Sequence, residues 1–219
     1  MSRPNGTTVP ARASARTEER PLQPRDTADV REMVREAGNR TAPLRIRAGG
    51  SWMDAGCPVE PCTELDLSRL RGIREYTPGD LTLTAGPATT LAEIEDATGS
   101  HGQWLLLDPV GGALGTLGAS LATASCGPLA ASGGQPRDLT LGVEFVDGRG
   151  TVVRGGGRVV KNVAGFDLVR LLVGSWGTLG VITEVTVRLR ALPECERTVA
   201  VPAPADRETL ATLLRALRS

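Results

Sequence analysis

The sequence predicts an α+β fold, built as one domain of ordinary size or as two small subdomains sharing a site. Three observations predict it. The first half interleaves helical and strand periodicities, the second half is dominated by strands that read as mostly antiparallel, and many of the 27 glycines in 219 residues gather at strand ends.

The elements follow in order. Residues 1–22, which open MSRPNGTTVPARASARTEER, lack the apolar core of a secretory signal and are rich in Arg, Ser and Pro, so a disordered tail is expected. Asp26 or Thr27 can cap a helix whose apolar residues Val30, Met33, Val34 and Ala37 recur at helical spacing, with Gly38 as its stop. PLRIRAGGSWMDAG reads as a short strand entering a glycine turn, and DLTLTAG as a strand. Thr90-Leu91-Ala92-Glu93 is a capping box, opening a helix that Gly99 stops. In LGVEFVDGRGTVVR, Asp147-Gly148 between alternating runs predicts a hairpin. Beyond Gly180, alternation puts Val181, Thr183, Val185, Val187 and Leu189 on one strand face, and Ile182, Glu184, Thr186 and Arg188 on the other. The last segment begins like a strand and ends as a helix with Leu210, Leu213, Leu214 and Leu217 along one side.

Composition narrows the function. Lys and Arg total 25 against 25 Asp and Glu, which gives no basic face for nucleic acid or anionic lipid, and 3% aromatic residues leave few platforms for stacking bases. No stretch is long and apolar enough to suggest a spanning helix, so the protein reads as cytoplasmic and soluble. Cys57, Cys62, Cys126 and Cys195 are too scattered for a disulfide scaffold. With His101 as the single histidine, in a loop that should be solvated, neither a metal site nor a His-based triad is expected.

Three glycine-bearing turns at strand ends carry the chemistry: Arg47 to Trp52, Asp108 to Gly127, and Gly174 to Ile182. Glycine allows positive φ and close backbone approach, so that successive N–H groups can converge on an anionic, phosphate-bearing ligand. The two familiar nucleotide fingerprints are missing. Gly148 and Gly150 lie in a hairpin with no helix after them, and the single lysine, Lys161, follows Val160 rather than a P-loop glycine.

The three turns, in this order, resemble the FAD-binding domain of the vanillyl-alcohol oxidase and p-cresol methylhydroxylase flavoprotein family, with the nearest likeness to the FAD-binding subunit of glycolate oxidase. RIRAGGS is similar to its first pyrophosphate loop and DPVGGALGTLGASLATASCG to its second. The run from Lys161, KNVAGFDL followed by GSWGTLGVIT, is similar to its last and most specific block. The likeness covers residues from about Gln23 to Leu192. It implies a two-subdomain FAD-binding domain, residues 23–105 and 106–193, followed at 194–219 by the start of a truncated or absent substrate domain.

Carried over by position, the resemblance implies that Arg47, Ala48, Gly49, Gly50, Ser51 and Trp52 line the pyrophosphate. Asp108, Pro109, Thr116, Leu117 and Gly118 would meet the flavin and ribityl region, and Thr123, Ala124, Ser125 and Gly127 would continue that wall. Gly177, Thr178, Leu179, Gly180, Val181 and Ile182 would give backbone contacts. Lys161, Asn162 and Asp167 belong to the motif, and Lys161 is expected to clamp the loop that presents Gly177 to Ile182. Three departures stand out. Ser51 occupies the place where many relatives carry a flavin-bonded His, which implies noncovalent FAD; Ala119 replaces a second glycine, and Phe166 the usual Tyr.

The activity implied is hydride transfer from the CH–OH carbon of a small 2-hydroxy acid, of glycolate or lactate type, to the flavin. Iron-sulfur and second flavoprotein subunits are the implied partners. The catalytic base would lie in a following substrate domain, and no residue here is assigned to it. The competing expectation is a noncatalytic flavin-fold protein serving as an assembly or regulatory partner.

Overall fold

A computed structural model describes residues 20–56, 62–157, 166–197, 200 and 206–216. The expectations for residues 1–19, Cys57, Lys161, Asn162, Leu217 and the strand-like start of the last segment lie outside the described residues.

Helix α1, Thr27–Asn39, starts where expected: Asp26 caps it by accepting the Asp29 N–H. It runs through Gly38 to Asn39, because the Arg40 and Thr41 N–H groups still find the Glu36 and Gly38 carbonyls. Its buried Val30, Val34 and Ala37 form the face read from the spacing. Strand β1, Leu44–Arg47, pairs in parallel with β2, Thr63–Asp66, which carries too few alternating apolar residues to have been read as a strand. Leu22 extends this pair through a parallel bridge to Leu65, so the last residue of the expected tail already takes part in ordered pairing.

Strand β3, Ile73–Thr77, pairs antiparallel with β4, Thr82–Ala85. All four residues of β4 are buried, not the alternate ones, because β3 and β8 flank it and its threonines also face packed surroundings. Helix α2, Leu91–Gly99, opens with the expected capping box and extends to Gly99, with Ser100 as its cap. After the short strand β5, Gln103–Trp104, come α3, Leu117–Ala122, and two single turns, α4, Ala130–Gly133, and α5, Pro136–Leu139. Strands β6, Thr140–Asp147, and β7, Val152–Gly156, form the expected hairpin; Asp147 Oδ1 accepts from the Arg149 and Thr151 N–H groups, and Gly150 takes the positive φ. Helix α6, Leu168–Leu172, precedes β8, Gly180–Arg188, which is followed by β9, Arg190–Ala191, and the exposed α7, Arg207–Ala216.

The main sheet is antiparallel in the order β3-β4-β8-β6-β7. The division expected between residues 105 and 106 does not follow it. Strands β3 and β4 lie before that point and β6 to β8 after it, yet they share one sheet, because β4 pairs with β3 on one side and with the sequence-distant β8 on the other. One expectation about this sheet fails. A register shift between Glu144 and Phe145 opposite β8 leaves Thr183 as an extra residue, so the strict alternation of β8 breaks there. Val181 therefore packs with Val146 on the α1 side, while Ile182, Val185 and Val187 all join the opposite core with Leu83, Leu117 and Leu172. The Thr183 hydroxyl donates to the buried Glu144 carboxylate at 2.9 Å, and Thr27 and Arg154 donate to it as well. Among the described residues no helix is long and apolar enough to cross a membrane.

Candidate functional site

Strand β1 runs into the first glycine turn, and β8 begins just after the third. Gly177, at φ +75°, lies against β1 so closely that a Cβ there would stand 3.0 Å from Ile46 Cδ1. The second turn reaches the same place through α3, whose Gly118 approaches Pro87; a Cβ at Gly118 would stand 2.6 Å from Pro87 Cβ. Between them opens a cavity of about 360 Å³, within the range of ligand sites.

The cavity brings together Arg47, Ala48, Gly50, Ser51 and Trp52 from the first turn, Gly118 and Thr123 from the second, and Gly177, Thr178, Gly180 and Ile182 from the third. In the first turn Gly50 has φ +82°, and the N–H groups of Gly49, Gly50 and Ser51 have no hydrogen-bond partner among the described residues. Such unspent N–H groups beside a cavity suit an anion. Gly49 packs on Thr116, whose buried hydroxyl likewise has no partner among the described residues. A buried hydroxyl left alone costs about 1–3 kcal/mol; Gly49 and Thr116 stand behind the residues that line the cavity rather than among them.

Other expected contacts are used up within the protein. The Arg47 guanidinium donates to Glu64 at 2.6 Å and to Asp66 at 2.9 Å, so its charge is neutralised before any ligand arrives. Asp108 is not among the residues that line this cavity; its two oxygens accept the Gly127 and Leu129 N–H groups, each at 2.9 Å, and a Cβ at Gly127 would collide with it. Pro109 is buried beside that clamp. The Ser125 hydroxyl accepts the Val110 N–H, and Ala124, at φ +53°, turns the chain beneath the cavity. Leu117 and Val181 are buried in the two cores, and Leu179 faces outward, 44% exposed. The Gly118 N–H is bonded to the Pro87 carbonyl, so that glycine serves close packing rather than anion binding. Asp167 caps α6 by accepting the Arg170 N–H, a role for this motif residue away from the cavity lining.

Several lining residues escaped the sequence reading. Arg45 lines the cavity and donates to the Met53 carbonyl, holding the first turn from inside; Met53, Pro87 and Ala122 are further walls. Trp176 is the largest of these. Its ring stands edge-to-face on Trp52, 5.7 Å between centroids, and joins the third turn to the first. A glycine-centred motif search looks past the side chain between two glycines, and only its large aromatic character could have signalled it. Among the described residues the lining holds no Asp, Glu, His, Lys, Tyr or Cys. It can bind and orient a ligand with a polar chain and apolar rings, but it offers no side chain suited to take up a proton near neutral pH.

The family profile described as FAD binding domain matches residues 20–156. Among curated proteins, the glycolate oxidase subunit GlcE of Escherichia coli (strain K12) is 41% identical over 163 residues, 74% of this chain and 46% of that protein. The glycolate oxidase subunit GlcD of Bacillus subtilis (strain 168) is 32% identical over 179 residues, 81% of this chain and 38% of its own length. The chain thus spans less than half of either relative. Among solved structures, an alkyldihydroxyacetonephosphate synthase superposes with a TM-score of 0.67 at 23% identity, over 79% of this chain and 32% of that one, a likeness of fold. The unspent N–H groups of the first turn, beside the cavity, fit the phosphates of a dinucleotide, and the chain belongs to the FAD-binding domain family of the p-cresol methylhydroxylase type.

Proposed function

We propose that this chain is the FAD-binding part of an oxidoreductase that acts on the CH–OH group of small 2-hydroxy acids of glycolate or lactate type. The observation that carries the reading is the convergence of three glycine turns on one cavity, together with the similarity to glycolate oxidase subunits. The N–H groups of Gly49, Gly50 and Ser51 would hold the pyrophosphate, and the Thr116 hydroxyl would complete a polar contact at the ribityl side. Ser51 makes the attachment noncovalent, since a serine hydroxyl does not offer the nucleophilic ring nitrogen of a histidine.

FAD, when bound, supplies the hydride acceptor. The chain's own residues bind and orient it: Arg45 fixes the first turn through Met53, Ile46 supports Gly177, and the apolar walls exclude water. The described cavity lining shows no proton acceptor suited to neutral pH, and we place the base that takes the substrate hydroxyl proton in a further domain or a partner subunit. Iron-sulfur and second flavoprotein subunits are the proposed partners, and a cytoplasmic setting is part of the reading.

Reconstitution with FAD tests the proposal. The expected result is a protein that keeps the oxidised-flavin bands after gel filtration and releases the flavin on denaturation with acid. A colourless protein after reconstitution overturns it.

A described lining that shows no base among its residues is compatible with one second reading, a noncatalytic flavin-fold protein acting as an assembly or regulatory partner. Reduction of the bound flavin by glycolate or lactate with no other subunit present overturns that second reading.

A further inference from the structure

Of the three tryptophans in the chain, two stand together at the cavity. Trp52 follows the first glycine turn and Trp176 sits within the third, with ring planes at 88°. Trp176 is 52% exposed, and its backbone is held at φ +55°. The left-handed region is strained for a residue with a bulky side chain. The conformation is held by local bonds: the Trp176 N–H donates to the Ala122 carbonyl at 2.8 Å, while Ser175 and Thr178 close the turn on either side. One edge-to-face contact gives back no more than that strain. Within the protein alone, a half-exposed indole on a strained backbone gains little. Such strain is characteristic of ligand clamps.

We infer that Trp52 and Trp176 form an aromatic clamp that grips one planar ring of the dinucleotide, an inference that rests on the FAD reading above. Two indoles at right angles make a corner. A flat heteroaromatic ring can lie against the face of one and meet the other edge-on, both favoured arrangements of π-systems. The unspent N–H groups of Gly49 to Ser51 lie immediately before Trp52, so a pyrophosphate held there leaves its flanking rings within reach of the corner. The clamp spans two turns that β1 and β8 supply separately, and the ring binds them into one wall. Trp176 is thus a positioning residue for the cofactor.

The test compares the whole chain with its Trp176→Leu, Trp176→Phe and Trp52→Leu variants, each titrated with FAD, FMN and ADP. Tryptophan emission and the visible flavin band are followed, and circular dichroism checks folding. Stacking of a base on an aromatic side chain contributes about 1–3 kcal/mol, so Trp176→Leu is expected to weaken FAD by about tenfold or more, and Trp176→Phe by less. Weakening confined to FMN identifies the isoalloxazine as the gripped ring, and weakening confined to ADP identifies the adenine; either supports the clamp. Equal affinity of wild type and Trp176→Leu for all three ligands overturns it. Wild type that binds no FAD overturns the FAD reading instead. Independently of any variant, FAD must slow oxidation of Trp176 by N-bromosuccinimide in the wild type, located by peptide mass spectrometry. Unchanged oxidation in the FAD-saturated protein also overturns the clamp.

Discussion

Arg47 Nη2 donates to Asp66 Oδ2 at 2.9 Å, and this bond turns an apparent phosphate ligand into a brace between β1 and β2. Arg47→Met is therefore expected to destabilise the fold by about 1–2 kcal/mol, since it strips a charged partner from a buried carboxylate while the arginine itself is partly solvated. The urea midpoint measures this. A free phosphate-binding arginine would give the opposite pattern, unchanged stability with weakened FAD.

Thr116 separates binding from folding in the other direction. Its buried hydroxyl has no partner among the described residues, so Thr116→Val should leave the thermal midpoint of the flavin-free protein unchanged or raise it. The same change should weaken FAD by about fivefold or more, for the loss of about one hydrogen bond. Titration and a melting curve on one preparation check both halves.

Ala119 lines the cavity on α3, where the related pattern has glycine. Ala119→Leu is expected to fold, because its side chain enters open space, and to lose FAD by about tenfold or more through the bulk added at the wall. Gly118→Ala, one residue away, should instead unfold more easily by about 1–3 kcal/mol, since its Cβ would meet Pro87. Comparing the two melting curves distinguishes cavity wall from packed joint.

Acid should unfold the protein through two buried carboxylates. Burial by itself raises the Asp66 and Glu144 pKa values. Hydrogen bonds outweigh it, from Gln23 and Ser68 on Asp66 and from Thr27, Thr183 and Arg154 on Glu144, with the charges of Arg47 and Arg154 adding to them. Both groups therefore lie below the ordinary carboxylate range when folded. Their contribution is complete above the unfolded-state values and is lost as pH falls through the folded ones, so stability should hold down to about pH 5 and drop below about pH 4. Glu144→Gln should be less stable at neutral pH and show a shallower acid drop. Urea midpoints measured across this range would contradict the account if stability rose on acidification.

Local rules were legible wherever a single turn of chain decided the outcome. The Thr90–Glu93 capping box, the Asp26 cap and the Asp147 hairpin each need only residues within a few positions, so their sequence is sufficient cause. Strand β2 was missed because TELD has no apolar alternation of its own; Leu44 to Arg47 and Leu22 supply its partners from a distance. The bulge at Thr183 was invisible for the same reason, since it answers to the Glu144 carboxylate on another strand.

The α+β class, the caps and the three glycine turns were set by residues close together in the chain, because glycine spacing and caps act through the local backbone. Tertiary structure alone decided what each motif residue does. Contiguous residues point in different directions, so Leu117 and Val181 went to the cores, Asp108 to the backbone of Gly127, and Arg47 to Asp66. It also brought Trp176 to Trp52, a contact across 124 positions of chain that packing of the third turn on β1 makes and that no local pattern encodes.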